Sequence, residues 1–451
     1  MRVRLSRVSA LVSFVSLMAL VIASAPFASA QSREEKVRGD KRKFESLGLW
    51  YYNDLESAFA EATKSGKPLM VILRCIPCEE CVKLDDDLVE ADPALQQLMK
   101  SFVRVRIVGT NGLDLSLFEF DTDQSFGVFF FNADRTLYGR YGTRSHRTEW
   151  QNDVSVEGLG KAMQATLKLH RDYPANRVSL LNKQPKKPLF ASPEKFPTLA
   201  SKYTAKLDYE GNVVKSCIHC HQIGDALREH YWAQDGKLPE SLLFPYPHPK
   251  TIGLILDPKE CATVESVVDK SAAKAAGFQK GDRIELLAGQ PMLSFADVQW
   301  VLNHFPSDGG PIVATVTRDN KTVALNLKLD SGWRPREDIG WRASTWGLRR
   351  IGLGGMFLKP ISDEMRASLG IASDKTSLLV EHVGAFAPHD RAKQAGVVKN
   401  DVLVEYDGRR DLLRETDVIA YAINQVEKGR SVPMRFLRGS QEIAVEISTA
   451  K

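Results

Sequence analysis

The feature that most narrows what this chain can fold into is a repeat in its C-terminal half. Ala276-Gly277-Phe278-Gln279-Lys280-Gly281-Asp282-Arg283-Ile284 returns as Ala395-Gly396-Val397-Val398-Lys399-Asn400-Asp401-Val402-Leu403. A stretch duplicated at this spacing builds the same supersecondary unit twice. Each copy leads into a strand, a turn and a helical pattern, Ser294 to Phe305 in the first and Glu415 to Val426 in the second. Ser294 is placed as an N-cap, with Asp297 three residues on. The exchange of Gly281 for Asn400 keeps the turn, because both tolerate a left-handed backbone.

The Ala-Gly-x-x-x-Gly/Asn-Asp pattern with its flanking strands resembles the PDZ domain in its bacterial arrangement, in both copies. That resemblance implies that a glycine loop and the strand after it receive a partner's C-terminal carboxylate or an extended segment by strand addition. The matching positions are Thr251-Ile252-Gly253-Leu254 and Gly352-Leu353-Gly354-Gly355, which makes Ile252, Gly253 and Leu254, and Leu353, Gly354 and Gly355, the expected peptide-binding residues. Lys250 or Arg350 adds positive charge beside each loop. Between the copies, Gly332-Trp333-Arg334, Gly340-Trp341-Arg342 and Trp346 read as a packed linker. Exported PDZ proteins often carry a serine protease, but the sequence holds no Gly-x-Ser-x-Gly elbow, and that activity is excluded.

Compartment follows from the N-terminus. Arg2, Arg4 and Arg7, an apolar run from Val8 to Ala23 and then Ala28-Ser29-Ala30 have the order of a secretory signal peptide, with cleavage expected before Gln31. No later segment reads as a membrane span. Loss of the leader lowers the net charge from +5 to +2, too little to argue for nucleic acid. An oxidising compartment permits disulfides. Five of the six cysteines nevertheless fall in two tight clusters, Cys75, Cys78 and Cys81, and Cys217 and Cys220, which argues for chemistry over stapling; Cys261 stands apart and is expected to be a buried, inert thiol in an early strand region.

In the first cluster, a helical pattern from Asp54 to Ser65 is broken by Gly66-Lys67-Pro68, and Leu69-Met70-Val71-Ile72-Leu73 follows as a strand buried on both faces. Cys75-Ile76-Pro77-Cys78 comes next, and then a helical pattern from Val82 to Met99. Strands are expected over Phe102 to Val108 and Val128 to Phe131, a hairpin turn at Asn132-Ala133-Asp134-Arg135 and a last helix from Val156 to Leu169. Strand, Cys-x-Pro-Cys and helix resemble a thioredoxin-like redox site. The resemblance implies Cys75 as attacking thiolate, Cys78 as resolving thiol and Cys81 as an alternative resolving thiol. It departs from the family in Arg74, where tryptophan is common, and in lacking a proline within Asp123-Gln124-Ser125-Phe126-Gly127.

The second cluster, Cys217-Ile218-His219-Cys220-His221, has the Cys-x-x-Cys-His spacing of covalent c-type haem attachment. Cys217 and Cys220 would form the thioethers and His221 the iron ligand, with His230 or His248 as candidates for the sixth position. A local disulfide, or zinc held with His219 or His221, stays open as an alternative. About 40 residues are too few to enclose a porphyrin alone, so a neighbouring module has to shield it.

The order of parts resembles a bacterial exported thioredoxin-like/PDZ protein family, some members of which carry selenocysteine where this chain has cysteine. The expected architecture is multidomain, α/β plus mainly β: a leader over 1–30, a thioredoxin-like domain over 45–173, a Pro/Lys-rich surface linker over 174–205, the Cys-x-x-Cys-His segment over 206–245, PDZ-like domains over 246–330 and 346–451, and a Trp/Arg linker over 331–345. The expected function is exported redox work, thiol exchange or electron transfer, tethered to protein partners through tandem PDZ domains. The alternative is an adaptor whose cysteine clusters only stabilise the fold.

Overall fold

The computed structural model describes residues 32–74, 92–124, 126–143 and 154–449. The expected leader lies outside them, and among the described residues no helix is long and apolar enough to cross a membrane.

The first element is one that the sequence pattern did not announce. Helix α1 (Arg33–Leu47) is capped by Ser32, whose hydroxyl accepts from the Glu35 amide, and ends at Gly48 in the left-handed region. Only Val37 and Phe44 are buried on it, so its apolar stripe is too thin to show a period. Burial of Arg106 holds it in place: that guanidinium has no exposed surface, donates to Asp40 at 2.6 Å and lies 3.8 Å over the Phe44 ring. The thioredoxin-like unit therefore starts near residue 33 rather than at 45.

The unit continues through β1 (Tyr51–Tyr52), α2 (Leu55–Ser65), β2 (Leu69–Arg74), α3 (Pro93–Met99), β3 (Val103–Ile107), β4 (Phe126–Phe131), β5 (Leu137–Thr143) and α4 (Val156–Arg171). The sheet order is β1-β3-β2-β4-β5. β1, β3 and β2 run parallel, and β4 and β5 antiparallel. All of β2 is buried, as a continuous apolar run requires: Leu69, Val71 and Leu73 face one core with Phe59 and Phe129, and Met70 and Ile72 face the other with Leu95 and Leu159. The part of the expected helix before Pro93 falls largely outside the described residues.

The segment expected to be a surface linker over 174–205 is instead a packed strap. Leu180, Phe196 and Leu199 are buried in the thioredoxin-like cores, and Lys183 is buried completely. It leads to α5 (Cys220–Asp235), which follows the Cys217 turn.

The first repeat contains β6 (Leu254–Leu256), β7 (Val264–Val267), β8 (Arg283–Leu287), β9 (Gln290–Pro291), α6 (Phe295–His304), β10 (Gly310–Arg318) and β11 (Lys321–Leu329). The second contains α7 (Thr345–Gly352), β12 (Met356–Pro360), β13 (Leu378–Val383), β14 (Val402–Tyr406), α8 (Glu415–Asn424), β15 (Ser431–Arg438) and β16 (Gln441–Ser448). The repeated motif has one physical meaning in both. Buried Asp282 accepts from the Gln279 amide and from Arg318 Nε and Nη2, both at 2.7 Å. Buried Asp401 accepts from the Val398 amide and from Arg438 Nε and Nη2, both at 2.8 Å. Gly281 and Asn400 occupy the same left-handed turn position, with φ of 89° and 73°.

Two buried ionic clusters join the repeats to the thioredoxin-like unit. Asp297 of α6 meets Lys183 of the strap at 2.8 Å, with neither side chain exposed, and accepts from the Arg140 amide of β5. Trp300 donates to Asn182 O and lies 3.5 Å under the Arg140 guanidinium. From the Trp/Arg segment, buried Arg342 reaches Asp121 at 2.6 Å and Asp123 at 3.3 Å, both in the loop before β4. Ser344 donates to Asp123 through its amide and its hydroxyl. Burial alone would raise the Asp123 carboxyl, but Arg342 and Arg228 hold it below its usual range. We predict that Arg342→Ala costs about 3–5 kcal/mol, since it strands two buried carboxylates; a urea midpoint unchanged from the parent chain would refute this.

Candidate functional site

The parallel strands β1, β3 and β2 point their C-terminal ends the same way, and the candidate site collects there. β2 ends at buried Arg74, and the sequence continues with Cys75; Cys75, Cys78 and Cys81 lie outside the described residues. Beside it, Leu73 of β2 is level with Ile107 of β3. The chain that continues β3, Val108-Gly109-Thr110-Asn111, anchors the Cys217 turn. Asn111 brackets Cys217, donating to Ser216 O at 2.9 Å and accepting from the Ile218 amide at 2.8 Å. Thr110 donates to Ile218 O through its amide at 3.1 Å and its hydroxyl at 2.8 Å. A crevice of about 490 Å³ runs alongside, lined by Tyr52, Ile107, Gly109, Asn111, Leu207 and Tyr209.

Within this clamp the two thiols turn inward. Cys217 is 5% exposed, with its sulfur 3.9 Å from Val108 O. Cys220, the first residue of α5, packs against the core that holds Leu73, Ile107 and Phe129. Burial pushes the Cys217 thiol up to about 12, and burial with the neighbouring Cys217 does the same for Cys220. His221 faces the other way, with its side chain 46% exposed and Nδ1 3.4 Å from Asp225 one turn along. His219 stacks on it at 5.8 Å.

A haem held through both sulfurs and ligated by His221 needs all three groups around one porphyrin edge. Here the sulfurs meet the sheet core while the imidazole meets solvent, so the three residues do not fit that group. Neither proposed sixth ligand rescues it. His230 is nine residues along the same helix, about 13 Å from His221 at the helical rise. His248 is buried against Phe295, and its Nδ1 accepts from the Lys250 amide at 3.0 Å as the cap of a turn. Among the described residues no three of His, Cys, Asp and Glu converge on a metal position. Cys261 lies in the turn ahead of β7 rather than in a strand, half-buried, with burial raising its thiol to about 11.

The two glycine loops differ more than their sequences. In the first repeat, Gly253 adopts φ of 90°, and β6 is an edge strand paired only with β7 among the described residues. Ile252 and Leu254 are core side chains, which leaves backbone groups of this edge to meet a ligand. In the second, the amides expected to hold a carboxylate are already used: Leu353 N and Gly355 N both donate to Arg349 O, at 2.9 and 3.0 Å. Along β12 the Leu358 amide donates to buried Glu415, which pairs with Arg349 of α7 at 2.6 Å. α7 packs on α8 and β12, with Leu348 and Ile351 in the core. The second groove is thus filled from within by a helix at the start of the expected second domain, which the sequence pattern did not announce. Leu353, Gly354 and Gly355 are structural in this arrangement.

Residues 50–133 match the family described as Thioredoxin-like, and residues 251–329 the family described as PDZ domain. A probable periplasmic serine endoprotease DegP-like of Marinomonas sp. (strain MWYL1) is 25% identical over 183 residues, 41% of this chain and 36% of that protein. The chain therefore spans about a third of the length of that relative. Among solved structures, HtrA-type protease AlgW with a tripeptide aligns at 14% identity over 30% of this chain and 42% of that one, with a TM-score of 0.19. The same protease with a decapeptide aligns at 12% identity over 31% and 48%, with a TM-score of 0.20. The chain contains a thioredoxin-like domain followed by a PDZ domain.

The raised thiols carry a direct test. With its cysteines reduced, the native chain at pH 8 should take iodoacetamide at Cys217 and Cys220 at least about 100-fold more slowly than the urea-unfolded chain, because the thiolate is the reactive form. The native rate should climb as pH approaches 12. Equal rates in the two states, read by peptide mass mapping, would contradict the inward placement.

Proposed function

We propose that this chain is an exported thiol-disulfide redox protein, held to extended segments or C-termini of a partner protein by its first repeat. The second repeat, on this reading, is a PDZ-like copy turned to structural use. One observation carries the redox half: a strand buried on both faces ends at Arg74, at the C-terminal end of the parallel strands of a thioredoxin-like sheet, and Cys75-Ile76-Pro77-Cys78 follows it in the sequence. Side chains at that end of an open sheet meet substrates, since the strands deliver them out of the core.

In this reading the Cys75 thiolate attacks a sulfur of the partner's disulfide, forming a mixed disulfide and releasing the partner's other sulfur as a thiol. Cys78 then attacks Cys75, the partner leaves reduced and the Cys75–Cys78 disulfide remains. Cys81 serves as a second resolving thiol. The crevice lined by Tyr52, Asn111 and Tyr209 offers the partner chain a place beside the site. The leader pattern and the part-length similarity to a protein described as periplasmic support export. The PDZ match and the edge strand β6 support the tether.

Cys75→Ser should abolish reduction of a disulfide-bonded peptide, while Cys81→Ser should lower the rate only several-fold. Unchanged turnover in Cys75→Ser would leave the adaptor reading, in which binding through the first repeat is the whole function. Intact mass of the exported protein should place the mature N-terminus at Gln31, and a retained Met1 would refute export by cleavage.

A further inference from the structure

We propose that the cavity where α5, the strap, the loop before β4 and the end of α6 meet is a binding site for a small organic anion with an apolar body, of which a medium-chain carboxylate is the type. It shares no lining residue with the crevice beside the Cys217 turn, and it does not depend on the thiol-exchange reading.

Shape comes first. The cavity has a volume of about 570 Å³. Small-molecule sites typically span roughly 300–1,000 Å³ and commonly lie between modules, as this one does. Its walls are apolar: Phe118 and Phe120 come from the thioredoxin-like loop, Phe190 from the strap, Leu227 and Tyr231 from α5, and Phe305 from the residue after α6. Leu189, also in the lining, keeps 53% of its surface exposed, which an apolar occupant would cover. Gly224 shapes one end. It sits within α5, and a Cβ there would lie 2.4 Å from Thr122 Oγ1, so the helix rests directly on the loop.

The charge on these walls is one-sided. Among the described residues, Lys186, Lys187, Arg228 and Arg334 line the cavity against a single acid, Glu119. That acid is already engaged, accepting from the Lys186 amide at 3.2 Å and facing His304 Nε2 at 2.8 Å. The two arginines are buried, at 6% and 1% exposed. Both are fixed by neutral carbonyls: Arg228 donates to Leu242 O, and Arg334 to the carbonyls of Phe244, Leu302, Asn303 and Phe305. Neither reaches a carboxylate at hydrogen-bonding distance, since Asp225 is 3.7 Å from Arg228 and Glu240 is 3.9 Å from Arg334. Arg228 Nη1 and Arg334 Nε are buried and make no hydrogen bond.

Arg342 shows what a self-sufficient buried guanidinium looks like in this fold, with Asp121 at 2.6 Å and Asp123 at 3.3 Å. A buried cation without such a partner is costly, and a carboxylate entering from the cavity supplies one. Its apolar body then meets the aromatic and aliphatic walls. Lys186 and Lys187, exposed on the strap, draw the anion toward the mouth. A neutral molecule of the same shape would leave both arginines as they are, and an apolar cation would be repelled. Charge therefore sets the selectivity of the site, and apolar burial supplies much of its affinity.

The test uses the full chain and anilinonaphthalene sulfonate, an aromatic anion whose fluorescence rises in apolar sites, in competition with dodecanoate, dodecanol and dodecyltrimethylammonium. The expected result is one saturable site per chain, from which dodecanoate displaces the probe at least about tenfold more effectively than the other two. Lys186→Glu combined with Lys187→Glu changes only exposed side chains. It should leave the urea midpoint in place and weaken dodecanoate about tenfold. Leu227→Trp fills the cavity and should abolish binding of the probe. Should that variant not fold, the lysine pair decides alone. Absence of a saturable site, equal displacement by dodecanol, or an affinity for dodecanoate that neither variant changes would overturn the proposal.

Discussion

The Arg342 guanidinium, buried between Asp121 and Asp123, is the interaction on which the rest of the structure depends. It comes from the segment between the two repeats and ends in the loop before β4, so one side chain spans modules more than 200 residues apart in sequence. A charge taken fully out of water is tolerable only when its partners are fixed, and here both carboxylates are held by further hydrogen bonds. The same loop receives α5, where Gly224 lies close against Thr122, and the Arg228 guanidinium adds to the field at Asp123. Thioredoxin-like sheet, Cys217 turn and both repeats thereby share one packed interior rather than hanging on flexible connections.

What the sequence disclosed was what local chemistry dictates. The continuous apolar run of β2, the Ser294 cap of α6, and the left-handed turn at Gly281 and Asn400 are each decided by a few neighbouring residues, and each is found. What it concealed had its partner far away. Lys183 reads as one more surface lysine among prolines until Asp297 is brought to it, and Arg342 reads as a linker charge until the loop at Asp121 closes over it. Helix α1 was invisible because two buried residues seven apart make no pattern. The Cys-x-x-Cys-His spacing was plain, but spacing is one-dimensional. Nothing in five residues states that the sulfurs face a sheet, because that is set by Asn111 and Thr110, which no motif joins to them.

The two repeats show how little separates a binding groove from a filled one. Both keep the Asp–Arg clamp that makes the turn, and both keep a glycine loop ahead of an edge strand. Beyond the split of the first repeat's strands into two sheets, the difference at the groove is one short helix and one ion pair. Glu415 on α8 spends its carboxylate on the Leu358 amide and on Arg349, and α7 then covers the edge that an incoming strand would need. The signal lay in Arg349 and Glu415, charged residues whose burial is intelligible only as a pair.

Every residue of α6 from Phe295 to Leu302 is buried, some against its own sheet and some against β5 and the strap. In an ordinary beads-on-a-string protein the corresponding helix would be shared between solvent and ligand, and the domain would travel freely between architectures. This one is not portable. Cut out at its expected borders it would present Trp300 and the Asp297 carboxylate to water, without the tryptophan's packing or the lysine that neutralises the acid. Lineages that recombine domains should therefore inherit these parts as a block, and a laboratory fragment of the repeat should be sticky and acidic in a way the intact chain is not.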